Sequence, residues 1–272
     1  MIGRGPCPAG DAGVRPRLEG LALVLAAVSV SGAHCGSVHR PEGGPATLKE
    51  ALARLASRGE AVTGLRGFAK VEAYRDGERI RFGQVVLAQR PARLRVETLS
   101  PFDQPISYLA ADGQTLSLYV LGQQRFLTGT PSAANVGRLF PLRLAPAHVV
   151  EVLLGGIPLA PGPAALDWDS KRGEWRISIA SPEGPGAVRA WLRPGDLAPT
   201  RIVGPASTWS LDLDRYERIG PIEMAQRLRF RVEADDADVI FRWDDEPEVN
   251  PSIADEVWRL EPPRGVQVER MP

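Results

Sequence analysis

Cys35 is the residue whose type and position most directly suggest chemistry. It follows an uncharged apolar run at residues 21–30 and the small residues 31–33, with arginines upstream of the run. This order of basic, apolar and small residues is typical of a secretory signal, and a lone cysteine directly after the apolar core is typical of an acylation site. Ordinary cleavage after Ala33 is the alternative, and it would leave Cys35 as an unmodified thiol. We expect a signal peptide over residues 1–35 and lipidation of Cys35.

Groups that could perform catalysis are sparse in the rest of the chain. The histidines beyond the signal are His39 and His148, and neither has a nucleophile and an orienting acid nearby in sequence. The sequence has no Gly-x-Ser-x-Gly elbow and no Cys/His spacing for zinc. The acidic residues at 233–238 lack the spacing of a calcium loop and are interpreted as a solvated hairpin. We therefore expect no enzyme activity, no cofactor and no metal.

Tryptophan and charge patterns also argue for a binding or structural protein. The six tryptophans lie mostly within strand patterns, where ring packing is a commoner use than a carbohydrate platform. Lysine plus arginine number 33, as do aspartate plus glutamate, and the two signs are interspersed. Without a basic patch, we expect no nucleic-acid partner and no membrane contact by charge alone.

A flexible tether and a helix are predicted after the signal. Residues 36–46 are small, polar and rich in glycine and proline, which is typical of a tether. Thr47 and Glu50 form a capping box, and Gly59 is a candidate for the end of the helix that they begin. Its apolar stripe consists of Leu48, Leu52 and Leu55. This stripe predicts one buried helix face.

Alternation with a period of two predicts that most of the remaining chain forms strands. Charged and apolar residues alternate at 93–97 and again at 227–232, and turn signals occur at 76–77 and 112–113. Residues 47–272 are therefore predicted to form one mainly β domain with small α content. Its expected architecture is a single antiparallel sheet of about eleven sequential strands, which must either close into a barrel or curl around its contents.

Two short helices are predicted to interrupt the strands. Thr130 and Pro131 supply a cap and a first-turn proline for one helix. Pro146 begins the second, and Gly155 and Gly156 end it. The second helix has so few polar residues that most of its surface must be covered, and the concave side of the sheet is the candidate cover.

The order of these features resembles that of a bacterial family of lipoprotein localisation factors. Arg-Gly-Phe-Ala at 66–69, Leu-Ser-Pro-Phe-Asp at 99–103 and Val-Leu-Leu-Gly-Gly-Ile-Pro at 152–158 resemble features of the outer-membrane receptor LolB. Pro-Pro-Arg-Gly-Val-Gln-Val at 262–268 is similar to the C-terminal motif of the periplasmic carrier LolA. The resemblance covers about three quarters of the chain beyond the signal.

This resemblance implies an unclosed barrel made of a curved sheet, with a helical lid over its concave face and a hydrophobic cavity that holds acyl chains. Phe102 matches the position of a protruding loop residue that inserts cargo into the membrane, and packing of Phe102 in the core is the alternative. The residues implied to line the cavity and lid are Leu94, Val96, Leu109, Leu116, Leu118, Phe126, Val136, Leu139, Phe140, Val149, Leu153 and Leu154. Without the resemblance, all of them would be interpreted as core.

The resemblance also implies partners and a location. The expected partners are lipoprotein acyl chains or other lipids, and a periplasmic LolA-type carrier. The expected form is a monomer at the outer membrane, facing the periplasm through a lipid anchor on Cys35, or in the soluble periplasm if Cys35 is not acylated. An envelope lipid sensor or protein-interaction lipoprotein of the same fold is the alternative function. A structural lipoprotein with a filled core is the third possibility.

Overall fold

The structure is a computed structural model, and the residues that it describes are 38–75, 77–139, 144–158, 162–180 and 186–272. The predicted signal peptide, Cys35 and Phe140 lie outside the described residues.

One sheet of fifteen strands dominates the described part of the chain. In chain order the strands are β1 (Gly64–Arg75), β2 (Glu78–Gln89), β3 (Arg93–Leu99), β4 (Pro105–Asp112), β5 (Leu116–Val120), β6 (Arg125–Gly129), β7 (Ala164–Asp169), β8 (Glu174–Ala180), β9 (Ala187–Leu192), β10 (Pro199–Val203), β11 (Ser210–Ile219), β12 (Ile222–Val232), β13 (Ala237–Trp243), β14 (Glu248–Val249) and β15 (Gln267–Arg270).

The strand order confirms the predicted single unclosed sheet. Side by side, the strands run β15-β6-β5-β4-β3-β2-β1-β13-β12-β11-β10-β9-β8-β7, and β14 pairs with β1. β15 and β7 lie at the two edges, with no pairing between them among the described residues. The pairs are antiparallel except β15 with β6, which is parallel. The prediction of purely antiparallel pairing is therefore wrong at this edge.

The predicted number of about eleven strands is also too low, since β10, β14 and β15 carry no clear strand signal in the sequence. β10 is short and begins with a proline, and β14 has only two residues. β15 follows Pro262 and Pro263, and its partner β6 is distant in sequence. Its pairing depends on where the chain returns, which no local pattern specifies.

Three α-helices occur in the described residues: α1 (Leu48–Ala61), α2 (Ala133–Leu139) and α3 (Pro146–Leu153). None of them is long and apolar enough to cross a membrane. α1 begins as predicted, because the Thr47 hydroxyl accepts a hydrogen bond from the Glu50 amide at 3.2 Å. Its predicted end at Gly59 is wrong. Arg58 and Val62, on either side of this glycine, are both buried, and their packing offsets the roughly 1 kcal/mol cost of a helical glycine.

The two later helices match their predicted starts to different degrees. α3 begins at Pro146 as predicted, and Gly155 beyond its end has a φ of +75°. α2 begins later than predicted, because Ser132 rather than Thr130 accepts the hydrogen bond from the Asn135 amide, at 3.2 Å. The Thr130 hydroxyl instead donates to the carbonyl of Pro272, at the end of the chain. This contact involves a residue far away in sequence, so the local pattern did not reveal it.

Alternation along the strands gives the sheet two distinct faces. We call the face covered by the helices the inner face, and its opposite the outer face. In β12, Leu228 and Phe230 are buried on the inner face, whereas Arg229 and Arg231 point outward into ion pairs. We call the end of the sheet that carries the β1–β2, β3–β4 and β12–β13 turns the upper end, and its opposite the lower end.

Glu72 joins three strands on the outer face. Its carboxylate accepts hydrogen bonds from Arg79 on β2, from Arg242 on β13 at 3.0 Å and from the Tyr74 hydroxyl at 3.1 Å. The hydrogen bond from Arg79 is the largest cause that lowers the pKa of Glu72 to about 2. Because the folded state holds this carboxylate in its ionised form, the pairing stabilises the fold above the carboxyl group's ordinary pKa.

We expect Glu72→Gln to lower the free energy of unfolding by about 1 kcal/mol at neutral pH, because it removes charge-assisted hydrogen bonds. The difference from the wild type should shrink as the pH falls from about 4, the ordinary pKa of a glutamate, towards 2. Urea denaturation across this pH range measures it. Glu217→Gln, at an exposed position on β11, is the control and should show no such convergence. A Glu72→Gln deficit that stayed constant throughout would contradict the prediction.

The described part of the predicted tether contacts the sheet. The Val38 amide donates to the carbonyl of Ser170 at 2.8 Å, and the Trp168 indole donates to the carbonyl of Val38 at 2.9 Å. The Arg40 guanidinium lies 4.5 Å from the centre of the Trp175 ring. Residues 38–40 are therefore held at the lower end of β7 and β8.

Candidate functional site

An apolar cavity of about 220 Å³ lies between the inner face of the sheet and the helices α2 and α3. Gln84 is the only polar residue among the described residues that line it. Its wall is formed by Val71, Ala73, Phe82, Gln84, Val86, Leu94, Val96, Leu109, Leu116, Val136, Leu144, Pro146, Val149, Val152, Leu153, Leu211, Leu228, Phe230, Val239 and Phe241. A space with such a lining favours a hydrocarbon ligand over water, because water needs polar partners.

The cavity is closed at its lower part and more accessible above. Val86, Leu94 and Leu116, towards the lower end of their strands, are buried. Ala73 and Val239, towards the upper end of β1 and β13, are only partly buried. A ligand would therefore enter from the upper end or by displacement of the helices.

Two arginines connect the helices to the sheet below the cavity. Arg90, just after β2, donates hydrogen bonds to the Glu151 carboxylate of α3 at 2.9 and 3.0 Å. The buried Arg58 of α1 donates to the carbonyl of Gly155 at 3.2 Å and also to the carbonyl of Glu223 on β12. These contacts fix the C-terminal end of α3, because two hydrogen-bonded networks hold it from different sides.

The structure brings most of the predicted cavity residues together. Seven of them line the cavity: Leu94, Val96, Leu109, Leu116, Val136, Val149 and Leu153. Leu118, Phe126 and Leu154 are buried but do not line it. Leu139 is partly buried and packs against the same core, and Phe140 lies outside the described residues.

The sequence prediction missed the half of the wall that β1, β2 and β11 to β13 supply. The missed residues include Phe82, Leu211, Leu228, Phe230 and Phe241. Their signal was present in the alternation at 227–232, which predicted an apolar strand face. What it did not predict is that β13 pairs with β1, which places the second half of the sheet opposite the same helices.

Phe102 lies at the tip of the β3–β4 turn and is 84% exposed, which excludes its packing in the core. The Ser100 hydroxyl accepts hydrogen bonds from the amides of Phe102 and Gln104, both at 3.2 Å. Asp103 has a φ of +58°, an uncommon conformation that turns the chain back. The loop is therefore held by its own hydrogen bonds, and it presents the ring to solvent.

Two further exposed apolar side chains lie near the upper end. Ile80, in the β1–β2 hairpin, is 57% exposed, and Ile106, at the start of β4, is 43% exposed. The hairpin extends past the upper end of β3, because Gly83 of β2 is the partner of Leu99. Ile80, Ile106 and Phe102 are three exposed apolar side chains at the upper end, where charged side chains such as Arg79 and Arg81 are also exposed.

The histidines and the acidic stretch were considered in the sequence as possible sites for catalysis or metal binding. In the described part of the chain, the side chains of His39 and His148 make no hydrogen bond to a carboxylate or a hydroxyl group. Among the described residues, no group of His, Cys, Asp and Glu is arranged to hold a metal ion. In the acidic stretch after β12, the Asp238 carboxylate pairs with the Arg229 guanidinium.

Comparison with solved structures finds several proteins of similar fold. A DUF1329 family protein from Desulfovibrio piger has a TM-score of 0.58 at 11% identity, over 81% of this chain and 99% of that one. A LolA superfamily protein from Nitrosomonas europaea has a TM-score of 0.55 at 10% identity, over 77% and 97%. The chain has a LolA-like fold. A putative outer membrane lipoprotein-sorting protein domain from Vibrio parahaemolyticus shares it, with a TM-score of 0.52 at 9% identity, over 76% and 94%.

Sequence comparison gives no such match. No family model matches the chain, and no curated protein matches it in sequence. The LolA-like fold confirms the architecture that the motif order predicted. At identities near 10%, this similarity establishes the fold alone.

Proposed function

We propose that the protein carries lipid acyl chains, those of lipoproteins above all, in the cavity of its LolA-like fold and passes them to the outer membrane. The observation that carries this proposal is the apolar cavity beneath α2 and α3, whose described lining is hydrocarbon except for Gln84. Two proteins of similar structure are a LolA superfamily protein and a putative outer membrane lipoprotein-sorting protein domain, which supports the same function.

Hydrophobic transfer supplies the driving force in this proposal. Each methylene that leaves water for the cavity contributes about 0.8 kcal/mol, so an acyl chain is held without a covalent bond or a charged partner. Its release requires a destination that is equally apolar, such as the bilayer interior. No energy source is needed at this step.

The size of the cavity implies that α2 and α3 move when a long chain binds. An engineered protein cavity of about 150 Å³ accepts benzene, so 220 Å³ accommodates roughly nine carbon atoms. A lipoprotein acyl chain is longer than this. We therefore propose that the helices lift from the inner face during loading, while the Arg90–Glu151 pair and Arg58 hold the C-terminal end of α3.

Phe102 is proposed to insert into the membrane during delivery. The side chain is exposed, its loop is fixed by Ser100, and it lies at the upper end with Ile80. The upper end is also where the cavity wall is least buried. An acyl chain that leaves the cavity at this end would meet the bilayer at the inserted loop.

We also propose lipid anchorage at Cys35. Whether this anchorage is compatible with insertion of Phe102 depends on the position of residues 38–46. While Val38 is bound at the lower end, the three-residue step from Cys35 spans only about 10 Å, so an acylated Cys35 would hold the lower end near the membrane. Phe102 lies at the opposite end. If residues 36–46 detach, they span up to about 40 Å, which is about the length of the longest strands, β1 and β2. Anchorage and insertion in one membrane therefore require this segment to leave β7 and β8.

We expect Cys35→Ser to shift the protein from the membrane fraction to the soluble periplasm without a change in its melting temperature. Removal of the thiol prevents acylation. The described helices and strands all lie beyond Cys35 in the chain, so we expect their stability to be unchanged. Cell fractionation and thermal unfolding measure the two effects. Unchanged membrane association would instead support cleavage after Ala33 and a peripheral attachment.

Binding of a fluorescent acyl chain or a triacylated peptide tests the proposed function. The purified protein should bind either probe at micromolar concentrations and should release it to liposomes. Failure to bind both would exclude carriage. A stoichiometric protein partner in place of lipid would favour the envelope sensor.

A further inference from the structure

We propose that the outer face of the sheet carries a second binding site, which recognises a phosphate group through Arg189, Arg201 and Arg231. These guanidinium groups surround a pocket of about 210 Å³, which we call the arginine pocket. Its other lining residues are Trp191, Val203, Ser207, Trp209, Ser210 and Glu233.

The arginine pocket is separate from the apolar cavity on the inner face. Arg189 on β9, Arg201 on β10 and Arg231 on β12 alternate with Ala190, Ile202 and Phe230, which pack in the inner core. The two pockets have no described lining residue in common. A ligand on the outer face would therefore leave the cavity accessible.

The three guanidinium groups outnumber the two carboxylates beside them, Asp212 and the lining residue Glu233. Arg201 and Arg231 share the Asp212 carboxylate, which accepts the hydrogen bond from Arg231 at 2.7 Å. Arg189 donates to the Ser207 hydroxyl at 2.9 Å, and among the described residues no carboxylate pairs with it. Within that part of the chain, each guanidinium uses one of its several N–H donors. The unused donors point to an acceptor-rich anion.

Side chains at the pocket are held in place by neighbouring residues. The Trp191 indole donates to Asp169 at 2.9 Å, which fixes the ring, and the Arg189 guanidinium lies 5.8 Å from the ring centre. Ser207 and the preceding Ala206 have φ values of +59° and +50°. This turn places the Ser207 hydroxyl within hydrogen-bond distance of the Arg189 guanidinium.

Phosphate is the ligand group that fits these features. Guanidinium forks match the oxygens of phosphate in shape and charge, and convergence of several arginines favours a group with more oxygens than a carboxylate. The volume is below the roughly 300 Å³ of sites for drug-sized ligands, so the site suits a headgroup or a small phosphoester. Ser207 and Glu233 place it at the upper end, where Phe102 also lies. A phospholipid headgroup and a soluble phosphate ester are the two sources of this group.

The test is a titration of the mature protein with inorganic phosphate, and then with glycerol phosphate, at constant ionic strength. The indole N–H resonance of Trp191 reports binding. We expect saturable shifts in the wild type, and affinity at least about ten-fold weaker in Arg189→Gln, because hydrogen bonds to charged groups are lost. Arg218→Gln, an exposed arginine near the lower end of β11, is the matched control and should bind as the wild type does.

Vesicle binding distinguishes the two sources. Binding to phosphatidylcholine vesicles with and without phosphatidylglycerol is measured for the wild type, Arg189→Gln and Arg218→Gln. If Arg189→Gln loses both phosphate and anionic vesicles, the ligand is a headgroup; if it loses phosphate alone, the ligand is a soluble ester. Absence of saturable shifts in the wild type, or an equal loss in Arg218→Gln, would overturn the site. Binding of acyl probes to the inner cavity is independent of all these results.

Discussion

Phe102→Glu should retain the stability and the lipopeptide binding of the wild type and should lose most of its delivery to liposomes. Phe102 is 84% exposed, so its replacement should change the free energy of unfolding by no more than about 0.5 kcal/mol. The cavity wall does not include it, so binding should be unaffected. A carboxylate at the loop tip is costly to bring among acyl chains, and we expect transfer at least about ten-fold slower. Transfer of a fluorescent lipopeptide to liposomes measures this rate.

The control for this experiment is Phe102→Leu, which retains an apolar tip on the same loop. It should deliver at a rate close to that of the wild type. Equal delivery by the stable Glu variant would remove Phe102 from the mechanism. A comparable loss in the Leu variant would show that ring shape, rather than insertion of an apolar group, limits transfer.

Ala73→Trp should block the cavity and abolish acyl binding while the fold persists. Ala73 lies on the cavity wall towards the upper end of β1 and is only partly buried. The indole would occupy much of a space that accommodates roughly nine carbon atoms. Displacement of about four methylenes lowers binding by about 3 kcal/mol, which is more than a hundred-fold in affinity. Titration with a fluorescent fatty acid measures the loss, and circular dichroism confirms the fold.

Stability of the Ala73 variant separates a cavity from a filled core. A large residue forced into a well-packed core typically costs 1–3 kcal/mol, whereas a residue that fills an empty space has no such cost. Ala165→Trp, at an exposed position on the edge strand β7, is the matched control and should leave both binding and stability unchanged. Strong destabilisation by Ala73→Trp alone would indicate a filled core.

Local patterns in the sequence were sufficient to predict most of the elements and the mainly β class. The alternation at 227–232 marks β12, Thr47 marks the start of α1, and Pro146 marks the start of α3. Each of these signals depends on residues that are close together along the chain. Exposure of Phe102 was implied only by the family resemblance, and the sequence left its packing in the core open as an alternative.

Features that depend on distant residues could not be predicted in this way. Leu94 and Leu116 would show the same periodicity in the sequence whether they lined a cavity or filled a core. Only the position of α3 distinguishes these two arrangements. The parallel pairing of β15 with β6 depends on the path of the C-terminal segment. The arginine pocket joins residues from β9, β10 and β12, whose charges are dispersed along the sequence.

Native mass spectrometry of the protein purified from cell envelopes tests the central claim most directly, because it identifies what the cavity holds. Carriage of acyl chains predicts a bound lipid or lipopeptide in the wild type, and its loss in Ala73→Trp but not in Ala165→Trp. A wild-type protein that carries no lipid, and that also fails to take up a triacylated peptide added in solution, would contradict the proposed function.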